Sequence, residues 1–387
     1  MKLLHVITGL NAGGAETALC RLLESSRERA CRQVVVAIGP EGALSGRVRA
    51  SGAALVHMNV APTRPNPLSL TRLRTIVREE RPDLVQAWMY HANIVAALTV
   101  LRCGASLLWS VRHSLHDLAA EKLMTRTAIR LGARMSRLPH VITYNSEESA
   151  RQHEAIGYCM NRTRVIPNGF DTQVFKPAPE ARARIRAELR IAPDAFVVGQ
   201  VARWHPTKDH ETLLQAAALY LRAHPNTVFV LVGSGVDAGN DRLDTIVRRL
   251  GITSNVRLCG HRTDIPDINA ALDVASLSSR GESFPNAIGE AMACGVPCVA
   301  TDVGGVREII GSCGVVVGRR DPEAMSVGWG ELARLDAAAR ASVGEMARRR
   351  IADHYSLDAY TAACWNLYRE LITAKLRAGS GNSSAGA

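Results

Sequence analysis

The chain has 387 residues, of which 47% are hydrophobic, 21% charged and 4% aromatic. That length exceeds one ordinary domain and that apolar fraction excludes a mainly disordered chain, so two domains of roughly 170–200 residues are expected. The net charge of +11 is uneven: residues 1–175 hold 22 Lys and Arg against 13 Asp and Glu, a net of +9, and residues 176–387 hold 25 against 23, a net of +2.

A basic first half points to an anionic partner. With so few aromatics and no aromatic-interleaved basic sheet, nucleic acid is not expected to be that partner.

The first strand is expected at Leu3–Thr8, followed by a glycine-rich turn and a helix from about Ala15 to Arg29. Short β-branched or apolar runs follow at Val34–Ile38, Leu84–Trp88, Leu107–Val111 and Val141–Tyr144, with helical segments between them. The periodicity stops around Ile166–Pro179, where turn formers dominate. A second series then has strands at Phe196–Val201, Val228–Val232, Val256–Leu258, Val274–Ser276 and Cys298–Ala300. Its helices are expected near Glu211–Ala223, Asp241–Leu250, Ala287–Ala293 and Pro322–Leu335, before a long helical pattern from Leu357 to Leu376.

Such alternation predicts an α/β chain with two Rossmann-like, doubly wound domains. The expected division is 1–168, a linker at 169–180, a second domain at 181–354, a C-terminal helix at 355–378 crossing back to the first domain, and a disordered tail at 379–387. The carboxyl ends of the strands would face a cleft, and ligands are expected between the domains.

No run of about 18 consecutive apolar residues occurs, so no spanning helix is expected. The N-terminal MKLLHVITGLNAGGAE is too short in its apolar part for a secretory signal and lacks a cleavage site. Nine scattered cysteines favour reduced thiols and a cytoplasmic location. Cys294 and Cys298 lack a matching His or Cys pair at zinc spacing, so they are expected to be buried structural residues.

The most informative stretch is R-G-E-S-F-P-N-A-I-G-E-A-M-A-C-G-V-P, Arg280 to Pro297. Glu282 falls in a loop after a strand, and Glu290 eight residues later falls inside the next helix. Asn286 and its neighbours occupy the start of that helix, where backbone N–H groups and the helix dipole favour a phosphate. The spacing of two glutamates alone would read as a surface and a helix-face residue. The whole string carries the weight.

That string closely resembles the signature of the family-4 retaining glycosyltransferases, which have the two-domain GT-B fold. Gly9–Glu16 is similar to the family's glycine loop after the first strand, and Val165–Asp171 to its interdomain I-P-N-G segment. Val201–Lys208 resembles its phosphate clamp, with Ala202 where the family usually has Gly, and Thr301–Glu308 resembles the turn that follows. The resemblance runs in order over about residues 3–310.

It implies that Arg203 and Lys208 hold the donor diphosphate, that Glu282 binds hydroxyls of the donor sugar, and that Glu290 binds the ribose. It further implies donor contacts from Ser283, Phe284, Pro285, Asn286 and Ala287, with the backbone N–H groups of Phe284, Asn286 and Ala287 reaching diphosphate and sugar. Gly13 and Gly14 would allow close backbone approach. His113 is expected to contact the sugar near the reacting carbon, with His116 the alternative match and Asp117 close by.

The implied reaction is transfer with retention, through front-face substitution in which the leaving diphosphate oxygen takes the acceptor proton. UDP is the expected nucleotide, with GDP second. No D-x-D sequence occurs, and no metal or other cofactor is expected. The alternative is a sugar-nucleotide isomerase or epimerase, or a non-catalytic nucleotide-sugar binder, on the same fold.

Lys122, Arg126, Arg130 and Arg134 recur every four residues on a predicted helix, with Arg137 three further on. Leu123, Met124, Thr127, Leu131, Met135 and Leu138 give it an apolar companion face. Such a helix can lie on an anionic membrane surface or can simply be a solvated face of an arginine-rich chain. Because the family binds its acceptor in this domain, the acceptor is expected to be a glycan or a polyprenyl-diphosphate-linked sugar. The chain would then be peripheral at the cytoplasmic, inner-membrane surface.

Overall fold

In the computed structural model the chain divides into two units, residues 1–169 with 357–387, and residues 170–356. The structure describes all residues except Ala12, Glu28, Arg29, 61–66, 101–102, 117, 119–120 and 384–387, together with the side chains of 67–69, 376 and 378–383.

The first unit is built on a seven-stranded parallel sheet. Its strands are β1 (Lys2–Ile7), β2 (Arg32–Ala37), β3 (Ala54–His57), β4 (Leu84–Trp88), β5 (Ser106–Val111), β6 (Val141–Tyr144) and β7 (Thr163–Val165), in the spatial order β3-β2-β1-β4-β5-β6-β7. Central strands read as continuous apolar runs because helices cover both of their faces. Leu4 and Val6 face one apolar cluster, while Leu3 and Ile7 face the other. The register sets Ile7 opposite both Ala37 and Trp88, so neighbouring strands end at a common level.

The helix Leu357–Ser383 belongs to this unit, although 187 residues of the other unit separate it from the rest. Its Tyr360, Cys364, Trp365, Tyr368 and Leu371 join Leu3, Leu19, Leu22 and Trp88 in one buried cluster. Each buried aromatic ring removes a large apolar surface from water, worth about 2–3 kcal/mol. The polar tips find partners as well. Trp365 Nε1 donates to Ser26 Oγ at 2.8 Å, and the Tyr368 hydroxyl donates to Gln86 Oε1. Arg112 is clamped between the rings of Trp88 and Tyr360 and donates to Asn168 Oδ1 and the Tyr360 hydroxyl. Residues 379–383 continue the helix; residues 384–387 of the expected tail lie outside the described residues.

The second unit has a six-stranded parallel sheet. Its strands are β8 (Phe196–Val201), β9 (Thr227–Val232), β10 (Val256–Leu258), β11 (Val274–Leu277), β12 (Cys298–Thr301) and β13 (Gly314–Val317), in the order β10-β9-β8-β11-β12-β13. Strand order reverses between β1 and β4 in one unit and between β8 and β11 in the other. At such a point the loops leaving two adjacent strands diverge, and their carboxyl ends open a place for a ligand.

Several elements depart from the sequence expectation. Strands β3, β7 and β13 were not expected, nor were the helices Val306–Ile310 and Ala337–His354. The first helix spans Gly14–Glu24 and is shorter than the expected reach to Arg29.

Candidate active site

The loops leaving β8 and β11 are tied together at the switch point of the second unit. Arg280 N donates to the Thr207 carbonyl at 2.7 Å, and Ser278 Oγ donates to the Lys208 carbonyl at 2.8 Å. Ser278 N donates to Gln200 Oε1 at 3.0 Å, which fastens the second loop to β8 itself. Asp209 adopts a left-handed backbone, with φ 49° and ψ 48°, uncommon for a residue bearing a Cβ. Its buried carboxylate accepts from Arg280 at 2.6 Å and Thr212 Oγ1 at 2.8 Å. Burial alone would raise this carboxyl, but these hydrogen bonds outweigh it and hold it below the usual carboxylate range.

That scaffold sets Lys208 beside Glu282. Lys208 Nζ donates to Glu282 Oε1, and Ser279 Oγ donates to the same oxygen at 2.7 Å. Both ionic side chains are largely enclosed, with 23% and 13% of their surface exposed. Arg203 stands exposed at the end of the β8 loop. Burial, followed by the positive charges of Arg203 and Lys208, lowers the His205 imidazole between them.

The loop carrying Glu282 continues into the helix Asn286–Ala293, whose N-cap residue is Pro285. Phe284 is buried and stacks on Phe170 with centroids 6.1 Å apart, so its ring anchors the loop while its backbone lies at the helix entry. The Ser283 carbonyl accepts from Gly305 N at 2.9 Å. Gly304, at φ 51°, packs so closely beneath this loop that an added Cβ would collide with the Glu282 and Ser283 carbonyls. Asn286 and Ala287 are half-buried in the first turn. Glu290, also half-buried, follows Asn286 by four residues and shares its helix face.

In the first unit, Gly13 and Gly14 open the helix Gly14–Glu24, where the Glu16 carboxylate accepts from its own backbone N–H in the first turn. A Cβ on Gly14 would meet nothing within 4 Å, and one on Gly13 only the side chain of Glu16. The packing of this unit itself demands neither glycine. His113 follows β5, its Nδ1 3.2 Å from the Tyr90 hydroxyl and its Nε2 3.2 Å from Glu121 Oε1. His116 instead meets Gln152, Nδ1 to Nε2 at 3.3 Å. Asp117 lies outside the described residues.

The basic segment forms the helix Leu123–Met135, with Lys122 at its N-cap. Its inward residues are Ala128, Ile129 and Gly132. The expected apolar companion face is therefore not the buried one. Leu123, Met124, Leu131 and Leu138 are exposed, Leu123 by 73%, alongside Arg130 and Arg134, while Arg126 is half-buried.

Several partners gave no sequence signal. Asp209 meets Arg280, and Tyr90 meets His153, across long stretches of sequence, while Ser279 and Glu121 reach Glu282 and His113 nearby without standing in a recognisable string. Cys294 and Cys298 are buried and unpaired, and burial pushes the Cys294 thiol up to about 12. Among the described residues, no three His, Cys, Asp or Glu side chains are grouped so as to hold a metal ion. No helix among them is long and apolar enough to cross a membrane.

Residues 12–174 match the family described as Glycosyltransferase Family 4, and residues 193–333 that described as Glycosyl transferases group 1. The D-inositol 3-phosphate glycosyltransferase of Corynebacterium jeikeium is 35% identical over 218 residues, 54% of this chain and about half of that one, at 52%. The enzyme of that name from Kineococcus radiotolerans is 30% identical over 323 residues, 76% of this chain and 73% of that one. Among solved structures, HepE of Anabaena in complex with UDP superposes with a TM-score of 0.84 at 24% identity, covering 96% of this chain and 100% of that one. Sucrose-phosphate synthase from Thermosynechococcus elongatus gives 0.81 at 20%, covering 97% and 100%. The fold is GT-B. The two family matches, the two switch points and the glutamate loop agree, and the chain belongs to glycosyltransferase family 4.

Proposed function

We propose that this chain transfers a sugar, with retention of its anomeric configuration and without a metal, from a UDP-linked donor to a glycan or polyprenyl-diphosphate-linked acceptor. One observation carries the donor half. Lys208 and Glu282 meet at the switch point of a parallel sheet, and the loop that carries Glu282 leads into the first turn of the helix Asn286–Ala293. A nucleoside diphosphate supplies the anion such a place attracts.

In this reading Arg203 and Lys208 hold the diphosphate and offset its charge as it leaves. The first turn from Asn286 adds backbone N–H groups, and Glu290 takes the ribose. Lys208 turns from Glu282 to phosphate when donor binds, releasing the carboxylate for sugar hydroxyls. The family resemblance assigns His113, Gly13 and Gly14 to the donor as well. HepE, whose structures are in complex with UDP and with UDP-glucose, supports UDP as the base to try first. The exposed basic and apolar side chains of Leu123–Met135 support an acceptor at an anionic membrane surface.

Thermal unfolding with UDP, GDP or ADP, each with and without EDTA, tests the donor half. A nucleotide at about 100 times its dissociation constant adds roughly 2.7 kcal/mol of stability. UDP alone should raise the midpoint, unchanged by EDTA. No shift with any of the three would contradict a ready nucleotide site.

A further inference from the structure

A line of hydrogen bonds runs from the interior of the first unit out to His113. It begins at His153, fully buried on the helix Glu147–Ala155, whose Nδ1 lies 2.7 Å from the Ser149 carbonyl. A carbonyl only accepts, so Nδ1 carries the proton. Burial, against that hydrogen bond, lowers the ring to about 4. At neutral pH its Nε2 is therefore an acceptor.

The Tyr90 hydroxyl lies 2.8 Å from that Nε2 and must donate to it. This spends the single proton of Tyr90. The same oxygen lies 3.2 Å from His113 Nδ1 and can only accept there, so His113 Nδ1 carries a proton too. What remains for chemistry on His113 is Nε2. Nε2 faces Glu121 Oε1 at 3.2 Å, an ion pair only where the ring carries both protons.

The rings hold this order in place. Tyr90 meets His113 edge-on with centroids 5.9 Å apart, and His153 is flanked by Tyr90, Tyr144 and Tyr158 at 5.8, 5.2 and 5.1 Å. Among the described residues, Tyr90 and Glu121 face His113, and the three tyrosines face His153, which also feels the charge of His113.

We infer that Tyr90 and His153 are positioning residues that lock His113 in its Nδ1–H form and present Nε2 to the reacting sugar, with Glu121 holding the place of a substrate hydroxyl. The role toward a sugar rests on the transferase reading above; the proton order does not. A hydroxyl that displaces Glu121 meets an Nε2 able to accept its hydrogen bond once the ring is neutral. The ring is already oriented when it arrives.

Two readouts on the full chain separate these layers. Two-bond proton–nitrogen spectra of the 15N-histidine-labelled protein, taken with His113 titrated to its neutral form, should show Nδ1 protonated. In His153→Leu the Tyr90 proton is released toward Nδ1, and the His113 signal should change to the Nε2–H form. An Nε2–H ring in the unaltered chain, or no change in His153→Leu, would overturn the inference whether or not sugar transfer is found.

In transfer assays Tyr90→Phe and His153→Leu should each lower kcat about tenfold or more with donor KM changed less than about twofold. His153→Gln, which keeps an acceptor for the Tyr90 proton, should restore most of it. Unchanged kcat in Tyr90→Phe, or equal loss in His153→Gln and His153→Leu, would overturn the positioning role. Absence of transfer by the unaltered chain with every sugar nucleotide would instead overturn the transferase reading, leaving the spectra to decide the proton order.

Discussion

Asp209 ties two loops together from its place next to Lys208. Its left-handed backbone turns the chain from the Pro206–Lys208 turn into the helix His210–Leu221, and its carboxylate holds Arg280 of the opposite loop. Asp209→Asn keeps the backbone preference, since Asn also tolerates that region, but removes the charge. Because the folded carboxyl is depressed, its stabilisation is present above the unfolded value near 3.9 and is lost as pH falls through the folded one. Asp209→Asn should therefore lower stability at neutral pH by about 1–3 kcal/mol and flatten the loss of stability on acidification below about pH 4. Urea unfolding at a series of pH values measures both. A parallel downward shift at every pH would show that the charge is not what matters.

Gly304 is the second telling residue. At φ 51° and pressed against the Glu282 and Ser283 carbonyls, it sets the height of the glutamate loop. Gly304→Ala should cost about 1–3 kcal/mol, through backbone strain and through the forced shift. It should also weaken donor binding, and thermal unfolding with and without UDP reads the two effects separately. The glycine was visible in the Gly-Gly string of the sequence. What it packs against was not, because a collision partner lies outside any local pattern.

At the scale of elements, the central strands were legible because burial on both faces makes them unbroken apolar runs. Strands β3 and β7 were not. Each is an edge strand of three or four residues, and ALVH or TRV gives too little alternation to stand out. The helix Ala337–His354 was missed for another reason. It buries only Gly344, Ala347 and Ile351, small or widely spaced residues set among arginines. Gly344 lies so close to the Gly295 carbonyl that a Cβ there would collide, so close backbone packing replaces an apolar stripe.

The helix Leu123–Met135 shows the opposite failing of pattern. Its apolar residues were legible, but not that Leu123, Met124 and Leu131 point outward while Ala128, Ile129 and Gly132 pack inward. Gly132 sits where a Cβ would strike the Tyr158 hydroxyl, so the small residues mark the contact. Leu123→Glu with Leu131→Glu should leave the unfolding midpoint nearly unchanged, because both side chains are exposed. The pair should abolish flotation with vesicles rich in anionic lipid. Equal flotation of the altered and unaltered chains would rule this helix out as a membrane contact.

Across the molecule, each unit reverses strand order once; Lys208 and Glu282 follow the two strands flanking the reversal of the second unit, whereas His113 follows β5, one strand beyond the reversal of the first. Lys208 follows β8 and Glu282 follows β11, neighbours in one sheet although 74 residues apart in sequence. Strand alternation alone foretold doubly wound sheets; only the signature string foretold which loops matter. The return of Leu357–Ser383 to the first unit joins its first half to β1 and the helix Gly14–Glu24 in one cluster, with Tyr360, Trp365 and Tyr368 as its anchors. The proton line behind His113 lay beyond the sequence, since it assembles residues from three separate segments.

The central claim is that Lys208 and Glu282 separate to receive a nucleotide sugar, one taking the phosphates and the other the sugar. Calorimetric titration of UDP and UDP-glucose into the unaltered chain, Lys208→Ala and Glu282→Gln tests it most directly. The account predicts that Lys208→Ala weakens both ligands about tenfold or more. Glu282→Gln should still bind UDP but lose the added affinity for the sugar-bearing form. Equal affinity of all three chains for both ligands would contradict it.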